Sequence, residues 1–330
     1  MPGLIDIHSH FIPDWYADEA RAAGIVDSID GMPGWPAWSE EAHLALMNEN
    51  GIERSMLSLS APGVHFGDDE AAADLAHRTN DFALELKARH PDRFGVFASL
   101  PIPAVDASIA EAARVLDELG ADGIAVKTNA HGVYLADASL EPLWSALDER
   151  SAVVFVHPTA SPGAEHTAFG RPSPMLEYLF DTTRAFTDLV LSGVFERYPR
   201  IRWVAPHSGG LLPLIATRVS LFQQMFGPKL PGVRPNESTE TLAELMPKLW
   251  FDLAGTPLPA SAPALIQAAG HDHLLYGSDW CFTPPPVVAQ HIAGLDAGWG
   301  DLTDAGWRDL TTRNAEVLLA PPTTNGEQQS

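Results

Sequence analysis

Residues 5–10 read Ile-Asp-Ile-His-Ser-His, a short apolar run that ends in two histidines one residue apart. In a β-strand alternate side chains point the same way, so His8 and His10 project from one face of the strand's end. Taken alone, such a pair is as readily a surface feature as a site. Further along the chain, other apolar runs also end in groups able to bind metal: "AVVFVH" in His157, "IRWVAPH" in His207 and "HLLYGSD" in Asp279. Neutral imidazoles with a carboxylate are the donor set of Zn2+ or a similar divalent ion. The pattern predicts one metal held by His8, His10, His157 and Asp279, with a position left for water or a substrate oxygen. His207 then stands beside the metal as an acid/base group, and Asp279 doubles as a catalytic candidate.

Side chains this far apart in sequence need a frame that gathers strand ends. Eight apolar or β-branched runs recur, at 4–8, 54–60, 93–100, 122–128, 152–157, 201–207, 249–254 and 273–279. Between them lie segments such as "EEAHLALMNENG" and "ASIAEAARVLDELG", with apolar residues at helical spacing and a glycine stop. Strands apolar throughout, alternating with helices, predict a parallel sheet covered on its outer face, and eight such units predict a (β/α)8 TIM barrel. A doubly wound sheet is the rival, but no Gly-x-Gly-x-x-Gly follows the first strand. In a barrel the C-terminal strand ends converge on the axis, which is where the metal would sit.

Residues 11–38 are too many for an ordinary connection after strand one, and hold Trp15, Trp35 and Trp38. They are expected to form an insertion over the barrel mouth, either as an aromatic pocket wall or as a structural flap. The expected organisation is one domain over residues 1–320, with a polar tail at 321–330.

Composition limits the partners. Of 330 residues, 20 are basic and 43 acidic, giving a formal charge of −23. Nucleic acid and anionic membranes require basic patches and are excluded as partners. An anionic substrate needs local positive charge, from a metal or a few arginines. One cysteine, Cys281, excludes an internal disulfide and a thiolate-rich zinc site, and is read as a packing residue. With no leader-like segment and no long apolar run, the expected location is cytoplasmic.

The motifs "DIHSHF", "FVHPTA", "APHSGG" and "YGSDW", in that order, resemble the signature of the amidohydrolase superfamily. "LSGVFERYPRIRWVAPHSGGLLP" most resembles its decarboxylase branch, which includes aminocarboxymuconate-semialdehyde, resorcylate and 6-methylsalicylate decarboxylases. The resemblance runs over about residues 4–320. It implies a single divalent metal, zinc or alternatively manganese, on His8, His10, His157 and Asp279, with His207 working beside it. It also implies a homodimer. Lys127, at the end of strand four, falls near the position of a lysine that bridges two metals in binuclear members. Here it is read as a cation near the pocket or a buried stem.

Where the aminocarboxymuconate enzymes carry arginines for a dicarboxylate, this chain has His43 and Ala45, which argues against that substrate. The strand-two loop "APGVHFGDD" and the segment "FDTTRAF" instead resemble the methylsalicylate type. His65, Phe66 and Trp38 are therefore candidate substrate contacts, and Arg171 and Arg184 candidate partners of a substrate carboxylate or a second subunit. The expected activity is decarboxylation of an ortho-hydroxylated aromatic acid. Hydrolysis of a lactone, amide or ester is the alternative from the same ligand set. A metal-binding protein without catalysis would need a coordinatively closed ion, which an open barrel mouth does not suggest.

Overall fold

Strands buried on both faces must be roofed by helices, and the computed structural model shows that arrangement over its described residues, 3–25, 30–229 and 240–321. The eight strands are β1 (Leu4–His10), β2 (Ile52–Ser58), β3 (Phe94–Ser99), β4 (Gly123–Lys127), β5 (Val153–His157), β6 (Arg202–Ala205), β7 (Trp250–Asp252) and β8 (Leu274–Leu275). They pair in that order and in parallel. The seam between β8 and β1 is closed by isolated parallel bridges, Asp6 with Tyr276 and Ser9 with Trp280. The Ile7 amide donates to the Tyr276 carbonyl across it at 2.9 Å. The sequence's expectation of a barrel therefore holds.

Local chemistry sets the helix limits. The helix Glu40–Asn50 starts where the Ser39 hydroxyl accepts from the Ala42 amide and stops at Gly51, whose left-handed φ of 68° favours a residue without Cβ. The long helix Asp69–Arg89 starts where the Asp68 carboxylate accepts from the Ala71 amide. Inside the barrel, Met56, Phe97, Phe155, Val204 and Leu275 belong to a buried apolar cluster, with Phe97 and Phe155 stacked at 5.9 Å. The edge-on contact of the His8 ring with Phe155, at 4.9 Å, places the polar cluster on that floor.

Strand eight is shorter than its sequence implies. Only Leu274 and Leu275 pair as strand, and the chain then turns so that Asp279 adopts a φ of 56°. His207 likewise lies beyond β6, in a short turn with φ 52°. Of the insertion, Asp14–Ala22 is helical and packs through Tyr16, Ala17 and Ala20, whereas residues 26–29 lie outside the described set. The expected tail is also outside it from residue 322. Among the described residues no helix is long and apolar enough to cross a membrane.

Candidate metal centre

His8, His10, His157 and Asp279 come from β1, the end of β5 and the turn after β8, and their ligand atoms lie within 4.8 Å of one another. Each imidazole is fixed by what its Nδ1 meets. His8 Nδ1 is 2.9 Å from Asp252 Oδ2, which only accepts. His157 Nδ1 is 2.7 Å from the Pro158 carbonyl, which also only accepts. His10 Nδ1 is 3.3 Å from the Ser58 carbonyl and 3.1 Å from Ser58 Oγ. That hydroxyl already spends its proton on the Ser9 carbonyl at 2.9 Å. All three Nδ1 atoms must therefore carry hydrogen, so each ring, when neutral, turns a bare Nε2 lone pair toward the others.

Those lone pairs converge. His8 Nε2 and His10 Nε2 are 3.1 Å apart, and Asp279 Oδ1 is 3.4 Å from the first and 3.2 Å from the second. Two ring nitrogens and a carboxylate at these spacings require positive charge between them, from a proton or a metal ion; burial would lower His8, but Asp252 and Asp279 outweigh it and favour that charge. Tetrahedral ligands about 2.0 Å from one ion sit about 3.3 Å from each other. The residues present fit a divalent metal.

Burial reinforces this. It pushes His10 down to about 4 and His157 well below its usual range, so both stay neutral, as ligands must be. Burial would also raise Asp279, but His8, His10 and His207 outweigh it and hold the carboxyl well below the ordinary carboxylate range.

His207 Nε2 is 3.5 Å from Asp279 Oδ2, beside the cluster as the sequence predicts. Its main-chain N–H donates to Asp252 Oδ1 at 2.9 Å, and its Nδ1 has no hydrogen-bond partner. Asp252, the last residue of β7, was not singled out from the sequence, yet it holds both a ligand and the acid/base candidate. The only sequence signal was a lone acid closing the apolar run "LWFDLA". Burial would raise Asp252, but the neighbouring His8 outweighs it and holds the carboxyl below its usual range.

The metal cluster opens into a cavity of about 420 Å3, reached by His157, His207 and Asp279 and walled by Tyr178, Leu179, Leu211 and Phe282. The Phe282 ring lies edge-on to His10 at 5.6 Å. No lysine or arginine lines this cavity among the described residues.

The expected substrate contacts lie elsewhere, and each is a correction. Trp38 is turned away from the cavity: its Nε1–H donates to His43 Nδ1 at 3.2 Å and its ring packs on Phe11 and Phe82. His43 itself is fully buried against Phe94, its Nε2 3.0 Å from Ser55 Oγ. Arg171 is exposed and outside the cavity lining. Arg184 is spent on Asp181 at 2.5 Å, with its side chain 48% exposed. His65, Phe66 and Lys127 line a different cavity over the other half of the mouth. The reason is common to all six: a strand end or following loop is legible in sequence, but not the side of the mouth it faces. Cys281 is buried, as a packing residue should be, and burial pushes its thiol up.

An eight-stranded parallel barrel with a histidine–aspartate metal cluster at its C-terminal mouth defines a metal-dependent barrel enzyme of the amidohydrolase type. The chain belongs to the amidohydrolase family, whose model matches residues 5–320. It is 32% identical to the 6-methylsalicylic acid decarboxylase of Penicillium expansum over 307 residues, covering 89% of each chain. A crystal structure described as an amidohydrolase II superposes with a TM-score of 0.87 at 33% identity, covering 96% of this chain and 99% of that one. A dihydroxybenzoic acid decarboxylase from Polaromonas, solved with manganese and 2-nitroresorcinol, superposes with a TM-score of 0.81 at 23% identity, covering 97% of each chain.

Proposed function

We propose that this protein is a metal-dependent carboxy-lyase that removes CO2 from an ortho-hydroxylated aromatic acid of the 6-methylsalicylate type. The observation that carries the reading is the pairing of the metal centre with a cavity that holds no cationic side chain. With no arginine or lysine there, the substrate's carboxylate has only the metal to meet its charge. Likeness to the Penicillium decarboxylase over most of both chains favours this chemistry over hydrolysis, which the ligand set alone would also serve.

Bound by His8, His10, His157 and Asp279, a divalent ion supplies positive charge for the carboxylate and ortho-oxygen of the substrate. The bound manganese of the Polaromonas enzyme supports manganese as well as zinc here. Phe282, Leu179 and Leu211 take the apolar face of the ring and exclude water from it. A proton held on His207 passes through the Asp279 carboxylate, which is ionised at rest, to the ring carbon that bears the substrate's carboxylate. The C–C bond then breaks, its electron pair restores the aromatic ring, and CO2 leaves. His207, 3.5 Å from Asp279 Oδ2, holds that carboxyl in line and resupplies its proton. In this reading the protein acts as a homodimer in the cytoplasm.

The test is CO2 release from a panel of 2-hydroxybenzoates, including 6-methylsalicylate and 2,6-dihydroxybenzoate, by protein loaded in turn with Zn2+ and Mn2+. Metal-dependent release supports the reading. Absence of release from every member, with metal bound, rejects it in favour of a hydrolase.

A further inference from the structure

The barrel mouth holds two cavities, and the metal centre accounts for one. The second, about 460 Å3, lies over the ends of β2 to β5. A thin partition separates them. On the metal side stand Ser60, His157 and Tyr178, and on the other Pro62, Lys127, Thr159 and Ala160. Asp30 of the insertion seals it, accepting from the Tyr178 hydroxyl at 2.6 Å, the Ala160 amide at 3.0 Å and the Thr159 hydroxyl at 3.3 Å.

Lys127 at the end of β4 gives this second cavity its chemistry. Its ammonium donates to the Leu59 carbonyl at 2.5 Å and has no carboxylate partner among the described residues. Lys127 is partly buried with one neutral partner, and burial pushes its amine down to about 7, so its charge is costly to hold and an anion beside it would relieve that cost. The cavity's own acid does not serve: Glu165 lies at the rim with 70% of its side chain exposed and is drawn toward His166. The remaining wall is mixed, with Val64, Phe66, Leu100 and Ile102 beside Ser99 and Asn129, and the His65–His131 pair at the rim, ring nitrogens 3.0 Å apart.

We infer that this second cavity is a binding site for a small aromatic or alkyl monocarboxylate, its carboxylate on the Lys127 ammonium and its apolar body against Phe66, Leu100 and Ile102. A site for an amphiphilic acid needs a cationic anchor for the carboxylate and apolar side chains beside it for the body, and this cavity has both. It does not depend on the decarboxylase reading, because no residue of the metal cluster lines this cavity except through the shared partition.

The test uses the metal-loaded protein and 4-bromobenzoate, which lacks the ortho-hydroxyl needed for chelation. Anomalous bromine scattering from crystals places the ligand in one cavity, the other or both. Calorimetry with benzoate gives its affinity. Bromine density beside Lys127, lost in Lys127→Met together with a roughly tenfold or greater drop in affinity at that site, is the expected result. Ala130→Phe, which fills the slot from the neighbouring hairpin and leaves Lys127 in place, should abolish the same density. Bromine found only at the metal centre, or a Lys127→Met variant that binds benzoate as the parent does, would overturn the inference. Neither outcome bears on CO2 release from hydroxybenzoates, so the two proposals fail separately.

Discussion

Asp252→Asn is close to isosteric, yet it should cripple metal binding. In the parent, Asp252 Oδ1 accepts from the His207 amide at 2.9 Å and the Ala254 amide at 3.0 Å, while Oδ2 accepts from His8 Nδ1 at 2.9 Å. Asparagine has one acceptor oxygen, and the two main-chain amides fix it at the Oδ1 position. Its NH2 group then faces His8 Nδ1, and two donors cannot share a proton. The imidazole must move its hydrogen to Nε2, the atom that has to face the metal. Loss of such an orienting partner costs about 10- to 100-fold in metal affinity, or about 1.4–2.7 kcal/mol. Competition with a chelating dye at neutral pH measures this directly for Zn2+ and Mn2+. Excess metal should restore part of the activity, because the four ligands are untouched. A variant with parental affinity would refute the tautomer argument and with it Asp252's role in orienting His8.

Three further outcomes follow from the same geometry. Burial pushes His43 down to about 3, so in the folded protein it stays neutral where the unfolded chain binds a proton. The stability this contributes is complete above about pH 6.5 and is lost as pH falls, at about 1.4 kcal/mol per unit. Urea unfolding at pH 6.5 and 5.5 should show a shallower acid decline in His43→Gln than in the parent, and equal slopes would contradict it. Phe282→Ala removes the ring beside His10 and should raise KM about tenfold, the order of one lost aromatic contact, while the dye-measured metal affinity stays put. Stripping the metal should lower Tm, and metal at about 100 times its Kd should return about 2.7 kcal/mol of stability; a melting point insensitive to metal would argue against a native-state ion.

The barrel was legible from eight apolar runs, and the candidate ligands because the runs at 4–8, 152–157 and 273–279 end in a histidine or an aspartate. His8, His10 and His157 stand at or near the ends of buried strands, and the fold brings their rings together with Asp279. His207 and Asp279 were legible as residues but not as geometry. Both take left-handed backbone angles just past their strands, and a reading based on alternation ends where the strand does. Trp38 was misread because its partner, His43, lies one helical turn into the next element, where it points inward. His65, Phe66 and Lys127 were grouped with the metal because all sit at the mouth. The partition built by Asp30, Tyr178 and the loop after β5 is a tertiary feature with no sequence period.

The seam between the last strand and the first has a consequence for how the molecule is completed. It is held by two isolated bridges rather than a continuous ladder, and the candidate metal ligands straddle it: His8 and His10 on one bank, Asp279 on the other. During synthesis the first two ligands emerge long before the fourth, so a nascent chain has no complete site to offer. An ion captured at full affinity thus reports that the barrel has closed, and it ties the first strand to the last across the join.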